Sequence, residues 1–251
     1  MSENRIQAAS GTPWAHWQHS AHLARATWIS ADTLCPPGTR LVVVAPHPDD
    51  EILMCGGLLS QFSGREQDVV LISVTDGEGS HPESTHWTEH RLRHQRVLES
   101  REALKCLGLD PAALDWRRLH LKDGGLPREE AFLVNHLNQL LKPGDVLLTT
   151  WRGDGHCDHE AVGRACAQAA QARQARLAEV PVWAWHWADA EDARLPWACA
   201  HRLQLDETSR TRKRRAIAAH VSQMEPDEDR PPVLPAMLLE CLLQPFEVVF
   251  L

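Results

Sequence analysis

The sequence predicts an α/β fold: three layers, α/β/α, around a mostly parallel sheet. Three observations carry that expectation. Runs of strand composition, rich in β-branched residues, occur at 42–45, 69–75 and 146–150. Stretches of helical composition separate them, and strands that alternate with helices favour a parallel sheet covered on both faces. Each run hands over to a polar loop, and ligands in such sheets bind at the carboxyl ends of the strands.

Taken in order, residues 1–38 read as an N-terminal extension packed on the domain. It has two short amphipathic pieces and a break at Pro36-Pro37-Gly38. Residues 39–251 read as a single domain. RLVVVAP at 40–46 is a short apolar strand. Residues 51–63 are helix-like apart from Gly56-Gly57, a pair that suggests close packing or close approach. Residues 68–75 form a second buried strand that stops at the loop DGEGSHPES. A long charged helix over 89–107 ends at Gly108, a C-cap residue. Residues 116–121 make a strand, KDGGLP a turn, and 129–141 a helix stopped by Lys142-Pro143-Gly144. Residues 145–150 form a third strong strand and run into WRGDGHCDHE. An alanine-rich helix is expected over 161–178. The tryptophan-dense segment 183–197 is either a core strand, with Trp183, Trp185 and Trp187 on one face by period two, or a wall for substrate. Residues 210–222 are basic and helical, and 247–251 could close the sheet at an edge. Crossovers should be right-handed. The arrangement is Rossmann-like.

With 251 residues, 43% of them hydrophobic, the chain can bury one large core. A formal net charge of -8 argues against nucleic acid as the main partner. No stretch approaches the length and apolarity of a membrane span. MSENRIQAASGTPW has no basic region leading into an apolar one, so it does not read as a signal peptide, and a cytoplasmic location is expected. The seven cysteines form no CxxC pair and are odd in number, which suits buried thiols in a reducing compartment.

VVVAPHPDDE, residues 42–51, stacks three carboxylates at the mouth of an apolar strand. Two loops together offer His47, Asp49, Asp50, Glu51, His156, Asp158 and His159. Catalytic zinc sites take three protein ligands from such residues. A ligand pair from one strand end and a third from another, about a hundred residues on, suits a site built by the fold rather than a zinc finger. A bound cation also offsets the repulsion among the carboxylates. Blander readings stand beside this one. Glu51 can simply start the helix, and Asp76 and Glu78 can be turn formers or line a pocket. Arg96 can pair with Glu99 or face substrate, and Asp123 can be turn chemistry. Of the remaining histidines, His186 is best placed to line a pocket.

PHPDDE at 46–51 together with HCDH at 156–159 resembles the LmbE/PIG-L family of zinc-dependent de-N-acetylases. TDGEG at 75–79, the Arg96, Glu99, Ala103, Leu107-Gly108 register, Asp123-Gly124-Gly125-Leu126 and HEAVGRA at 159–165 follow in the family's order. The resemblance covers roughly residues 40–170 and extends more loosely toward the end of the chain, through WAWHW followed by a polar loop and LPW at 183–197 and AIAAHVSQ at 216–223. It implies that His47, Asp50 and His159 hold the metal and that Asp49 is the general base. It further implies that His156 stabilises the oxyanion or protonates the leaving amine, with Asp158 orienting a histidine. A carboxylate near His156 is expected to raise its pKa and keep it charged. Cys157 stands where the family usually has proline. The implied activity is removal of an N-acetyl group from an amino-sugar conjugate by metal-activated water. Hydrolysis of another N-acyl amide or an ester at the same site is the alternative. The implied cofactor is Zn2+, with Fe2+ as another suitable ion, and the implied partner is a small N-acetylated amino sugar. A homo-oligomer is compatible with the sequence. A nucleotide-binding or scaffolding domain is disfavoured, since no GxGxxG follows the first strand.

Overall fold

A computed structural model describes residues 10–251. The reading against a signal peptide rests largely on residues 1–9, outside the described residues. The described strands are β1 (Thr27–Ile29), β2 (Leu41–Ala45), β3 (Val69–Thr75), β4 (Asp115–Leu121), β5 (Val146–Thr150), β6 (Arg176–Val180), β7 (Ala200–Gln204) and β8 (Phe246–Phe250). They form one eight-stranded sheet in the order β1-β7-β8-β6-β5-β2-β3-β4. All pairings are parallel except those of β8, which runs antiparallel to β6 and β7.

The strands alternate their side chains between two cores, as a period of two dictates. Leu41, Val43 and Ala45 face one core with Leu71 and Leu148. Val42 and Val44 face the other with Ile72 and Leu147. The first core is covered by α1 (Asp50–Ser60), the C-terminal part of α2 (Glu89–Cys106) and the end of α5 (Glu207–Ala218), with Trp17 and Leu23 from the N-terminal segment. The second is covered by α3 (Glu130–Leu140) and α4 (Cys157–Arg173). The three-layer, mostly parallel α/β expectation therefore holds.

Three expectations are corrected. The alanine-rich helix starts at Cys157 and ends at Arg173, because Gln174 adopts a left-handed conformation (φ 57°) that terminates it. Residues 176–180 then pair with β5 as β6. The C-terminal strand does not close an edge: all five residues of β8 are buried between β7 and β6. The edge on that side is β1, so the N-terminal segment adds a strand to the sheet. The tryptophan segment is no strand, since Ala184–Trp187 form a short helix.

None of the seven cysteines forms a disulfide, and Cys157 is exposed. Among the described residues no helix is long and apolar enough to cross a membrane. Strand β2 pairs with β3 on one side and β5 on the other, so the chain's progression reverses there. This switch point is where an open sheet leaves a crevice at its carboxyl end.

Candidate metal centre

The crevice gathers the loops that follow β2, β3 and β5. His47 and Asp49 come from the turn after β2, Asp50 from the start of α1, and His156, Asp158 and His159 from the start of α4. All of these but the fully buried Asp158 border a cavity of about 320 Å³ whose wall also includes Arg96, Asp123, Trp183 and Gln223.

Asp50 lies at the centre. Its Oδ2 is 3.1 Å from His47 Nδ1 and 3.3 Å from His159 Nε2, and it accepts the His47 backbone N–H at 2.9 Å. Each of these two histidines gives its other ring nitrogen to a carboxylate. His159 Nδ1 is 2.8 Å from Asp154 Oδ2. His47 Nε2 is 3.2 Å from both Asp158 Oδ2 and Asp123 Oδ1. This pattern of one nitrogen anchored and one presented is how metal-bound histidines are oriented. His159 Nε2 is buried and makes no well-formed hydrogen bond, its contact with Asp50 Oδ2 at 3.3 Å being a loose one. The donor set and that loosely held nitrogen fit a divalent cation. His156 stands beside the same two rings, 4.9 Å from His47 and 4.8 Å from His159 between centroids, so the three histidines could also share an ion.

The charges follow from this crowding. Burial would raise Asp50, but the positive potential of His159 and His47 holds it far below the usual carboxylate range. Burial would lower His159, yet Asp50 and Asp154 push it up to about 9. Asp49 goes the other way: burial lifts it to about 7 against the opposing pull of the Arg96 guanidinium, whose Nη2 is 3.0 Å from Asp49 Oδ2. His156 contradicts the sequence expectation. Burial and the neighbouring His159 and His47 lower it to about 3 despite the nearby carboxylates. The geometry agrees, because His156 Nδ1 accepts the Asp158 backbone N–H at 3.3 Å, which leaves the ring proton on Nε2. Asp158 itself faces His47 and accepts the backbone N–H groups of Gly124 and Leu126, so the histidine it orients is His47.

Of the other candidates, Glu51, Asp76, Glu78 and His186 fall outside the cavity wall, while Arg96 lies in it. Glu51 accepts the Asp49 backbone N–H. Asp76 binds Arg118 and His120, and Glu78 binds Arg93; both brace the loop after β3. Arg96 reaches Asp49 and the carbonyls of Gly77 and Pro48 rather than Glu99, which instead holds Ser222. His186 is buried away from the cavity, and of the tryptophans Trp183 reaches its wall.

Two residues matter more than the sequence reading suggested. Asp123, a turn former by sequence, meets His47. Asp154 has no sequence pattern that marks it, and it is fully buried, accepting the backbone N–H groups of Val182, Trp183 and Ala184 as well as facing His159. Those three N–H groups turn the chain at Val182 and start the short helix, which rules out the strand alternative for this segment. The one local signal for Asp154 was an extra carboxylate in a loop already supplying a histidine.

Residues 42–170 match the family described as PIG-L, GlcNAc-PI de-N-acetylase. The 1D-myo-inositol 2-acetamido-2-deoxy-alpha-D-glucopyranoside deacetylase of Mycobacteroides abscessus is 30% identical over 142 residues, covering 48% of this chain and 51% of that one. Its namesake from Nocardia farcinica is 27% identical over 177 residues, covering 62% and 59%. The chain thus spans between half and three fifths of these curated relatives. Among solved structures, N,N'-diacetylchitobiose deacetylase from Pyrococcus horikoshii superposes with a TM-score of 0.56 at 18% identity, covering 76% of this chain and 72% of that one. A teicoplanin deacetylase superposes with a TM-score of 0.59 at 16% identity, covering 84% and 97%. These two share the fold.

Proposed function

The chain belongs to the PIG-L family of GlcNAc-PI de-N-acetylases, and on that premise we propose that it is a metal-dependent hydrolase that removes the N-acetyl group of an amino-sugar conjugate. The observation that carries the reading is the pair of anchored histidines, His47 and His159, that present Nδ1 and Nε2 to one oxygen of Asp50 at 3.1 and 3.3 Å. Under this reading His47, Asp50 and His159 hold a divalent ion, for which zinc suits the donors and Fe2+ is the other candidate. When bound, such an ion acidifies water and polarises an acyl carbonyl.

The chain's own residues supply the rest. Asp49, next to the ligand Asp50 yet free of it, takes a proton from the attacking water. Its pKa of about 7 lets it hold that proton and return it to the departing amine nitrogen, so that acetate and a free amine leave. Arg96 keeps the Asp49 carboxylate facing the cavity. Neutral His156 retains Nε2–H and donates it to the oxygen that becomes negative in the tetrahedral intermediate. Trp183 offers an apolar face on which a sugar ring can stack. The substrate class rests on what the named relatives act upon.

Elemental analysis of the purified chain beside Asp50→Ala tests the metal, and release of amine from N-acetylglucosaminyl compounds tests the reaction. About one divalent ion per chain, lost in the variant, with metal-dependent amine release, is expected. A native chain that holds no divalent ion after incubation with zinc or iron would overturn the reading.

A further inference from the structure

Helix α1 is broken one turn after Asp50. Cys55 has non-helical angles (φ -144°, ψ 26°), and the bond expected from the Gly57 N–H to the Leu53 carbonyl is replaced by a bridge of side chains. Gly57 N–H donates to Glu247 Oε1 at 2.8 Å, Lys213 Nζ donates to the same oxygen at 2.8 Å, and Lys213 Nζ also donates to the Leu53 carbonyl at 2.9 Å. Leu58 N–H donates to Glu247 Oε2 at 3.1 Å. The ion pair, from α5 and β8, therefore stands inside the helix ladder. Lys213 is 1% exposed and Glu247 4%. The Gly56-Gly57 pair makes the room: a Cβ on Gly56 would meet Lys213 Cγ at 3.2 Å, and one on Gly57 would meet the Leu205 methyls at 2.5 and 2.6 Å.

A continuous helix would satisfy the same backbone groups with no buried charge, and a buried ion pair is a poor route to stability. The break makes residues 50–54 a separate turn. The Leu53 and Ile52 N–H groups bond back to the Asp49 carbonyl, so that turn carries Asp49 and Asp50, and the Leu53 carbonyl is its other end. We infer that Lys213 and Glu247 are positioning residues that set the direction of the turn bearing Asp49 and Asp50. The inference rests on the reading of Asp50 as a metal ligand given above. The pair touches neither substrate nor metal and acts through the Leu53 carbonyl.

The test replaces both charges with apolar residues of similar size, Lys213→Met with Glu247→Leu, so that Gly57 can bond directly to Leu53. Thermal melting of the metal-free proteins reports folding. Titration with Co2+, followed by visible absorption, reports affinity and ligand geometry. The folded double variant is expected to bind Co2+ about tenfold more weakly with altered absorption bands. Native affinity and native bands in a cooperatively melting double variant would overturn the inference. If the double variant does not fold, Glu247→Gln decides, since it keeps an acceptor for Gly57 and removes the charge facing Lys213. It is expected to lose a few-fold in affinity and to shift the bands, and unchanged values would again overturn the inference. A native chain that takes up no Co2+ brings down the metal reading and this inference with it. A native chain that binds Co2+ no better than its folded variants brings down this inference alone.

Discussion

Asp49 sits at φ 127° and ψ -30°, a conformation that costs a side-chain-bearing residue about 1–3 kcal/mol. The surroundings hold it there. Its N–H donates to Glu51, its carbonyl accepts from Ile52 and Leu53, and its carboxylate meets Arg96. The strain has a purpose only if the carboxylate must face the cavity. Asp49→Asn keeps the shape and tolerates positive φ, so it should retain metal while turnover falls about 10²- to 10⁴-fold. Metal analysis beside a rate assay checks this, and normal turnover would remove the base role. Asp154 is the second residue of consequence, because it fixes the ring of His159 and three backbone N–H groups at once. Asp154→Asn should weaken metal binding about 10- to 100-fold and cost about 2 kcal/mol of stability. Metal titration and melting report the two effects separately; unaltered affinity would mean that His159 needs no orienting partner.

At the scale of elements, α4 carries both His156 and His159 to the crevice, and Gly163 sets how closely it lies on the end of β5. A Cβ there would meet the Thr150 carbonyl and the Arg152 N–H at 2.8 Å, both of them backbone and unable to give way. Gly163→Ala should therefore push α4 outward, cost about 1–3 kcal/mol in urea unfolding, and weaken metal binding, since His159 lies one turn away. A variant with native stability and native affinity would show that the helix has slack. The same element shows what the sequence made legible. Its histidines were readable because a polar loop follows a buried strand of apolar and β-branched residues. Its end was not, because alanine continues a helical pattern through residue 178 and no glycine or proline marks the left-handed turn at Gln174. The place of β8 inside the sheet was hidden too, since strand order is settled by pairing and local composition is silent about it. Asp154 and Asp123 escaped for a related reason. Asp123 meets His47 from a distant part of the chain, and the backbone groups that Asp154 holds lie 28 residues and more away, so these roles exist only once the fold has closed; the contact of Asp154 with His159 is local but leaves no pattern in the sequence.

Across the whole molecule, the balance of buried charge decides how the protein meets acid. His220 joins α5 to the short helix Val221–Met224, which Ser222 ties to α2 through Glu99. It is 1% exposed, and neither ring nitrogen has a hydrogen-bond partner. Burial, with the Arg96 guanidinium adding to it and Asp50 opposing, pushes His220 down to about 3. Its folded pKa lies below the unfolded value near 6.5. The unfolded chain therefore binds the proton first, and the contribution of His220 to stability is complete above pH 6.5 and is lost as pH falls toward 3. Asp76 acts later: burial opposes the shift, but His120 and Arg118 hold it below its usual value, so its contribution fades only below about pH 4. Other groups titrate in the same range, His156 downward and Asp49 upward, so the native acid profile alone does not isolate His220. The difference between native protein and His220→Leu does, because the lost packing is independent of pH. That difference in unfolding free energy should change by about 1.4 kcal/mol per pH unit between pH 6 and 4, in the direction that makes the variant relatively more stable in acid. Urea unfolding at a series of pH values measures it, and a difference that stays constant across that window would mean His220 is already free to take up a proton in the folded protein.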